Sequence, residues 1–362
     1  MANIGVNICG MELKNPIMTA AGPGSRNADL CIKAARGGVG CIVTKTVSSK
    51  AAEVPRPCMG KVNGGFLNTE LWSEMPVEEW VENEYKKIKK EGLPVIVGIG
   101  YTKDQISEIA PMIKPYADAV EISTHYVGND PGPIVEALKA AKKVLDVPVF
   151  MKMSPQADVV TIAKEVEKAG ADGLVMINSF GPCMSIDVKT GYPIMGSKAG
   201  YGWLSGAAIR SLAVRCIYEA SKAVKIPIIG VGGITNGIEA AEMIMAGASA
   251  VQLCTEAILK GPSIYGKIAA ELNNFLDENG YSDVSEIKGL VHKKIEDRSF
   301  RVNSIPAKVD NSKCIKCGTC RQSCVYEAIS ITDKLYIDSD KCFGCGLCVT
   351  RCPKGALSIS YK

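Results

Sequence analysis

The sequence predicts a (β/α)8 barrel with a small α+β domain appended at its C-terminal end. Three observations carry this. Short, wholly apolar β-rich runs alternate with amphipathic helical stretches through the first 300 residues. The runs number eight and lack polar/apolar alternation, as expected of parallel strands covered on both faces. Beyond about residue 304, cysteine becomes abundant and the strand–helix rhythm stops.

The expected strands are 17–19, 41–44, 95–98, 119–122, 149–151, 173–177, 227–230 and 250–253. Helices are expected at 77–90, 107–114, 134–144, 159–169, 207–224 and 238–246. A doubly wound open sheet is the competing architecture. No G-x-G-x-x-G follows the first strand, so a nicotinamide site of that type has no support. The domains expected are residues 1–303 and 304–362.

Composition narrows the functional class. The chain has 362 residues, is 47% apolar and 22% charged, and carries a net charge of +4, too little to suggest a nucleic-acid partner. No apolar run approaches the roughly 18 residues of a membrane span. The N-terminal MANIGVNICGMELKNP has neither a basic nor an apolar leader segment, so a cytoplasmic location is expected.

Eight of the 15 cysteines fall between positions 314 and 352. Two segments there repeat with a period of 28, Cys314-IKCGTCRQSCVYEAISI and Cys342-FGCGLCVTRCPKGALSI. Each reads C-x2-C-x2-C-x3-C, the spacing of two-cluster bacterial ferredoxins, in which the fourth cysteine ligates the other cluster. One 4Fe–4S cluster is then assigned to Cys314, Cys317, Cys320 and Cys352, the other to Cys342, Cys345, Cys348 and Cys324. Structural zinc, the alternative, favours two separated C-x2-C pairs. From Ser304 onward nine Lys/Arg outnumber five Asp/Glu, an excess that offsets the negative charge of thiolate-bound clusters. The remaining cysteines (9, 31, 41, 58, 183, 216 and 254) show no ligand spacing and read as packing residues.

In (β/α)8 barrels chemistry sits at the C-terminal ends of the strands. Lys45, Lys152 and Asn178 close the second, fifth and sixth strands, and Gly232-Gly233 and Thr255 follow the seventh and eighth. Glycines and backbone N–H groups after strands 7 and 8 form the usual barrel phosphate site, which suggests a phosphate-bearing cofactor. A strand-end lysine can also be a Schiff-base nucleophile; with two lysines the residues leave that choice open.

The segments NPIMTAAG (15–22), TKT (44–46), GFLNTELWSE (65–74), FMKMSP (150–155), INS (177–179), LSGAAIR (204–210), GVGGI (230–234) and QLCT (252–255) together resemble the dihydroorotate dehydrogenase superfamily. Within it, the match is closest to the FMN and iron–sulfur part of dihydropyrimidine dehydrogenase, and it covers nearly the whole chain. The resemblance implies FMN, with Lys45 near flavin N1/O2 and Lys152 also on the ring. Ser205, Gly206, Gly232, Gly233, Cys254 and Thr255 would hold ribityl and phosphate, and Ala21 and Gly22 would also bind the cofactor. Asn68, Glu70, Asn178 and Ser179 match residues around the substrate ring, with Trp72 beside them. A homodimer is expected. So is an external redox partner, either ferredoxin or an NAD(P)H-oxidising flavoprotein subunit, working anaerobically.

One stretch departs from the family. Where it has E-L-N-L-S-C-P, this chain has Glu121-Ile122-Ser123-Thr124-His125-Tyr126-Val127. Ser123 replaces the substrate-binding Asn, and Tyr126 replaces the Cys that moves a proton. Flavin-dependent C=C reduction needs hydride on one face and a proton from an acid on the other. Tyr126 is protonated at neutral pH and is the expected acid, with His125 its neighbour and Cys183 a third candidate. The expected activity is reduction of a small conjugated or cyclic C=C bond. Its rivals are a dihydropyrimidine or dihydroorotate dehydrogenase with a changed acid, and a non-catalytic electron-transfer subunit whose barrel mouth is plugged by Trp72 and Tyr126.

Overall fold

The computed structural model describes residues 1–156, 158–300 and 302–360. Two compact units are present, Met1–His292 and Lys293–Lys362.

The first unit is built on eight parallel strands: β1 (Ile17–Thr19), β2 (Ile42–Val43), β3 (Val95–Ile99), β4 (Ala119–Ser123), β5 (Val149–Met153), β6 (Gly173–Met176), β7 (Ile228–Val231) and β8 (Ala250–Leu253). They hydrogen-bond in the order β1-β8-β7-β6-β5-β4-β3-β2. The ring closes between β1 and β2, where Met18 bridges Cys41 and the Gly40 amide donates to the Ile17 carbonyl at 2.8 Å. Closure excludes the doubly wound alternative. All eight expected strands are present, with ends moved by a residue or two.

Every strand is buried, yet its residues divide between two cores. Outward residues such as Ile17, Val97, Ile122, Met151, Leu174 and Val251 pack under the surrounding helices. Inward ones, including Met18, Val43, Ile96, Ala119, Phe150, Val175, Ile229 and Ala250, fill the barrel together with Ile8, Met11 and Leu13. The last three belong to an N-terminal hairpin, Val6–Ile8 paired with Met11–Leu13, that the sequence reading did not anticipate. The period of two therefore exists but is masked, because both faces are apolar. Helix starts are set by side-chain caps: Asn27 before Ala28–Arg36, Asp158 before Val159–Lys168 and Asn236 before Gly237–Met245.

A second sheet was also not foreseen. Phe180–Cys183, Gly202–Ser205, Gly65–Asn68 and Met59–Val62 form an antiparallel four-stranded insert in that order. Its strands belong to the long connections after β2 and β6, at the C-terminal end of the barrel.

The second unit carries two small antiparallel strand pairs, Lys308–Val309 with Leu357–Ser358 and Ile329–Ile331 with Leu335–Ile337. Two helical turns, Thr319–Gln322 and Leu347–Arg351, each follow a glycine in the left-handed region. Each turn begins at the equivalent point of its cysteine repeat. Among the described residues no helix is long and apolar enough to cross a membrane.

Candidate functional site

Parallel strands direct alternate side chains inward, and near the C-terminal ends of β4, β5 and β8 the inward positions are Glu121, Ser123, Lys152 and Gln252. Lys152 Nζ lies 2.9 Å from Glu121 Oε1, and Gln252 Nε2 donates to Glu121 Oε2 at 2.6 Å. After β2, Lys45 Nζ pairs with Glu70 Oε2 at 2.6 Å, with the two side chains 5% and 14% exposed. Buried charges persist only when paired, so both lysines are held on carboxylates rather than swinging free.

Lys45, Glu70, Ser123, Lys152 and Gln252 border one cavity of about 270 Å3 at the barrel mouth, with Glu121 buried behind them. Its wall includes Ala21, Gly22, Lys45, Asn68, Glu70, Ser123, His125, Lys152, Asn178, Ser179, Ser205, Gly206, Gly232, Gly233, Cys254 and Thr255. Sixteen positions scattered between 21 and 255 thus share one surface. Gln252 and Lys61 line it too; neither they nor the buried Glu121 were singled out from sequence. A charge inside an otherwise apolar strand was the available signal for Glu121.

The insert sheet roofs this cavity. Asn68 is held by donation from Nδ2 to the Trp203 carbonyl at 3.0 Å, while its Oδ1 accepts the Glu70 amide at 3.2 Å. Asn178 Nδ2 reaches Ser123 Oγ at 3.4 Å, and its Oδ1 accepts the Ser179 amide at 2.9 Å. Ser205 Oγ lies 2.8 Å from Thr255 Oγ1.

At that end the backbone is drawn tightly together. Gly233 has φ +79°, and a Cβ there would stand 2.7 Å from the Gly206 carbonyl oxygen. Gly206 itself has φ +86°. Only glycine fits both the torsion and the space. These bare backbones beside Thr255 form a cradle suited to a phosphate, and Gln252 Oε1 is buried in the wall without a partner. The cradle fits the phosphate of a phosphorylated cofactor.

The segment after β4 separates two neighbours. His125 takes a positive φ of +50°, which turns its ring into the cavity wall. Burial first, then the ammonium groups of Lys152 and Lys45, pull its imidazole down to about 4. Tyr126 does not line the cavity; its phenol folds over Gly128 and packs on the outer core. Nor does Trp72, whose Nε1 donates to the Lys50 carbonyl at 2.6 Å. Its ring meets Tyr101 edge-on at 4.7 Å, and Tyr101 in turn touches His125 at 5.0 Å. Cys183 lies on the roof strand, outside the cavity wall, with Sγ 3.7 Å from the Phe180 carbonyl.

In the second unit two further cavities are each bounded by four cysteines. One is lined by Cys314, Cys317, Cys320 and Cys352, the other by Cys324, Cys342, Cys345 and Cys348. Each takes three thiols from one repeat and the last thiol from the other. Among the described residues no three His, Cys, Asp or Glu side chains are grouped so as to hold a single metal ion. Burial, and then the neighbouring Cys342 and Cys345, push the Cys348 thiol up, a repulsion that a bound cationic iron–sulfur core relieves.

Comparison with known proteins agrees with this division. The dihydroorotate dehydrogenase family profile matches residues 3–276, and the 4Fe–4S dicluster domain profile matches residues 307–359. The chain is 36% identical over 299 residues to the catalytic subunit of dihydroorotate dehydrogenase B (NAD(+)) of Methanothermobacter thermautotrophicus, spanning 79% of this chain and 97% of that protein. The corresponding subunits of Methanosarcina acetivorans and Pyrococcus abyssi are 37% and 34% identical, over 80% of this chain and 96% and 99% of their own length. With the barrel, its mouth and the profile over 3–276 in agreement, the chain belongs to the dihydroorotate dehydrogenase family.

Proposed function

We propose that this protein is an FMN- and iron–sulfur-dependent oxidoreductase that interconverts a C=C bond and its dihydro form in a small cyclic substrate. Electrons pass between the flavin and an external partner through two 4Fe–4S clusters. The observation that carries the reading is the single barrel-mouth cavity, which joins a phosphate cradle to two paired lysines and a set of amide side chains.

FMN, when bound, supplies the hydride chemistry and the change from two-electron to one-electron transfer. The chain supplies the rest. Gly206, Gly232, Gly233, Ser205, Cys254 and Thr255 hold the phosphate and ribityl end. Lys45 and Lys152 place positive charge where negative charge gathers on the ring. Asn68, Asn178, Ser179, Glu70 and Ser123 orient the substrate. The eight cysteines hold the clusters, in the crossed sets that line the two cavities.

The proton is moved by His125, because His125 and not Tyr126 stands in the cavity wall. An imidazole lowered to about 4 is neutral at pH 7. In that form it can accept a proton from a dihydro substrate, as the oxidative direction requires, although its lowered pKa makes it a weaker base than a free imidazole. In the reductive direction expected from Tyr126, it gives its ring proton and recovers one from solvent.

Anaerobically purified protein should carry about eight iron, eight sulfide and one FMN per chain. Reduced protein should then be screened against pyrimidines, enones and enoyl compounds by flavin reoxidation. Iron without flavin would defeat the flavoenzyme reading, and flavin that no C=C compound reoxidises would leave only the electron-transfer reading.

A further inference from the structure

Positions 28 apart in the two cysteine repeats are counterparts. The two sets of thiols match in this way, but their neighbours do not. Thr319 lines the cavity of Cys314, Cys317, Cys320 and Cys352, whereas its counterpart Leu347 lines the other. Lys354 borders the first cavity, and its counterpart Tyr326 borders the second. Tyr326 stacks there on Phe343, with ring centroids 4.8 Å apart. One wall thus carries a hydroxyl and an ammonium side chain, the other two aromatic rings and a leucine.

Thr319 Oγ1 lies 3.4 Å from Cys317 Sγ, a hydrogen-bond contact. A thiolate that ligates iron has no proton to give, so the hydroxyl is the donor. Leu347 has nothing to offer Cys345, the counterpart thiol. Reducing a cluster adds negative charge to it. A hydrogen bond to a ligating sulfur favours that reduced form, and such bonds are among the factors that set iron–sulfur potentials. A nearby cation acts in the same sense. Lys354 is exposed, however, and its charge is screened by salt. The hydroxyl, in contact with the sulfur, is the larger effect.

We infer that Thr319 sets the two clusters apart, holding the one bound by Cys314, Cys317, Cys320 and Cys352 at the higher reduction potential. An electron that reaches either cluster then settles on that one. Each transfer moves one electron, and no bond or proton goes with it. The inference rests on the proposed cluster content and deepens it, because it gives the relay an internal direction.

Redox titration of the anaerobically purified full chain, followed by EPR at each poised potential, reads the two midpoints. The unmodified chain should show two separate values. Thr319→Val keeps the shape and removes the hydroxyl. It should lower the upper midpoint alone, by about a tenfold change in the reduced-to-oxidised ratio at a fixed potential. Thr319→Ser keeps the donor and should leave that midpoint in place. Leu347→Thr should raise the lower midpoint and bring the pair together. Should Thr319→Val lose iron, Leu347→Thr decides, since it adds a donor and removes no ligand. The inference is overturned if neither Thr319→Val nor Leu347→Thr moves a midpoint, if Thr319→Val lowers only the lower one, or if Thr319→Ser shifts as far as Thr319→Val. Iron and sulfide near zero in the unmodified chain would overturn the cluster reading and this inference with it. Full iron with unmoved midpoints overturns the inference alone.

Discussion

The Lys45 ammonium sits 2.6 Å from Glu70 Oε2, so one ion pair ties the end of a barrel strand to the loop leaving the roof. Lys45 is nearly buried, and removing its partner strands a charge. Glu70→Gln should destabilise the flavin-free protein by about 3 kcal/mol. Adding Lys45→Met should recover most of that loss, because the charge disappears with its partner. Urea unfolding of the two single variants and the double variant checks this.

His125 gives a pH signature. Its imidazole is held at about 4 in the folded chain, against about 6.5 when unfolded. The unfolded state therefore takes up this proton first, so stability is full above about pH 6.5 and falls as pH drops toward 4. His125→Gln should flatten that slope. The chain has only two histidines, so NMR titration should show one ring titrating near pH 4 and only that one vanishing in His125→Gln.

Kinetics should rank the two neighbours. His125→Gln should slow substrate-driven flavin reoxidation by about 10²–10⁴, the usual worth of a positioned proton donor or acceptor. Tyr126→Phe keeps the ring that packs on the core and should change it only a few-fold. Stopped-flow mixing of reduced protein with substrate measures both; the reverse ranking would return the role to Tyr126.

The crossed cysteine sets predict which substitutions are redundant. Cys314→Ser and Cys352→Ser act on the same cavity, so the double variant should lose no more iron than either single one, about four per chain. Cys314→Ser with Cys324→Ser strikes both cavities and should lose nearly all of it. Iron and sulfide analysis after anaerobic purification decides between this and in-repeat pairing, which would give the opposite result.

Electron supply is the last expectation. The isolated chain should accept electrons from dithionite, viologens or reduced ferredoxin, and should turn over NADH or NADPH negligibly. Anaerobic absorbance at the flavin band follows each donor.

Much of this architecture was legible in the sequence because it is encoded in runs and spacings. The eight strands were apolar runs between turn residues, and the cysteine repeats carried their own geometry. The roof was not legible: Gly65–Asn68 and Phe180–Cys183 are four-residue strands containing Gly or Pro, without alternation. The inward register of the barrel strands was hidden for a related reason, since they are apolar on both faces, and the lone charge of Glu121 in its strand was the one sign of it. Which of His125 and Tyr126 reaches the cavity wall goes with one positive φ at a non-glycine residue, which no pattern of residue types announces.

Closing the barrel between β1 and β2 leaves no strand of that sheet with an unpaired flank. The roof is different, because its outer strands, Phe180–Cys183 and Met59–Val62, each pair on one side only. An open flank invites a foreign strand, and such flanks are commonly blunted by proline or lysine. Pro182 lies in one and removes an amide donor, and Lys61 lies in the other. The lid over the cavity is thus also where self-association through backbone pairing has to be resisted.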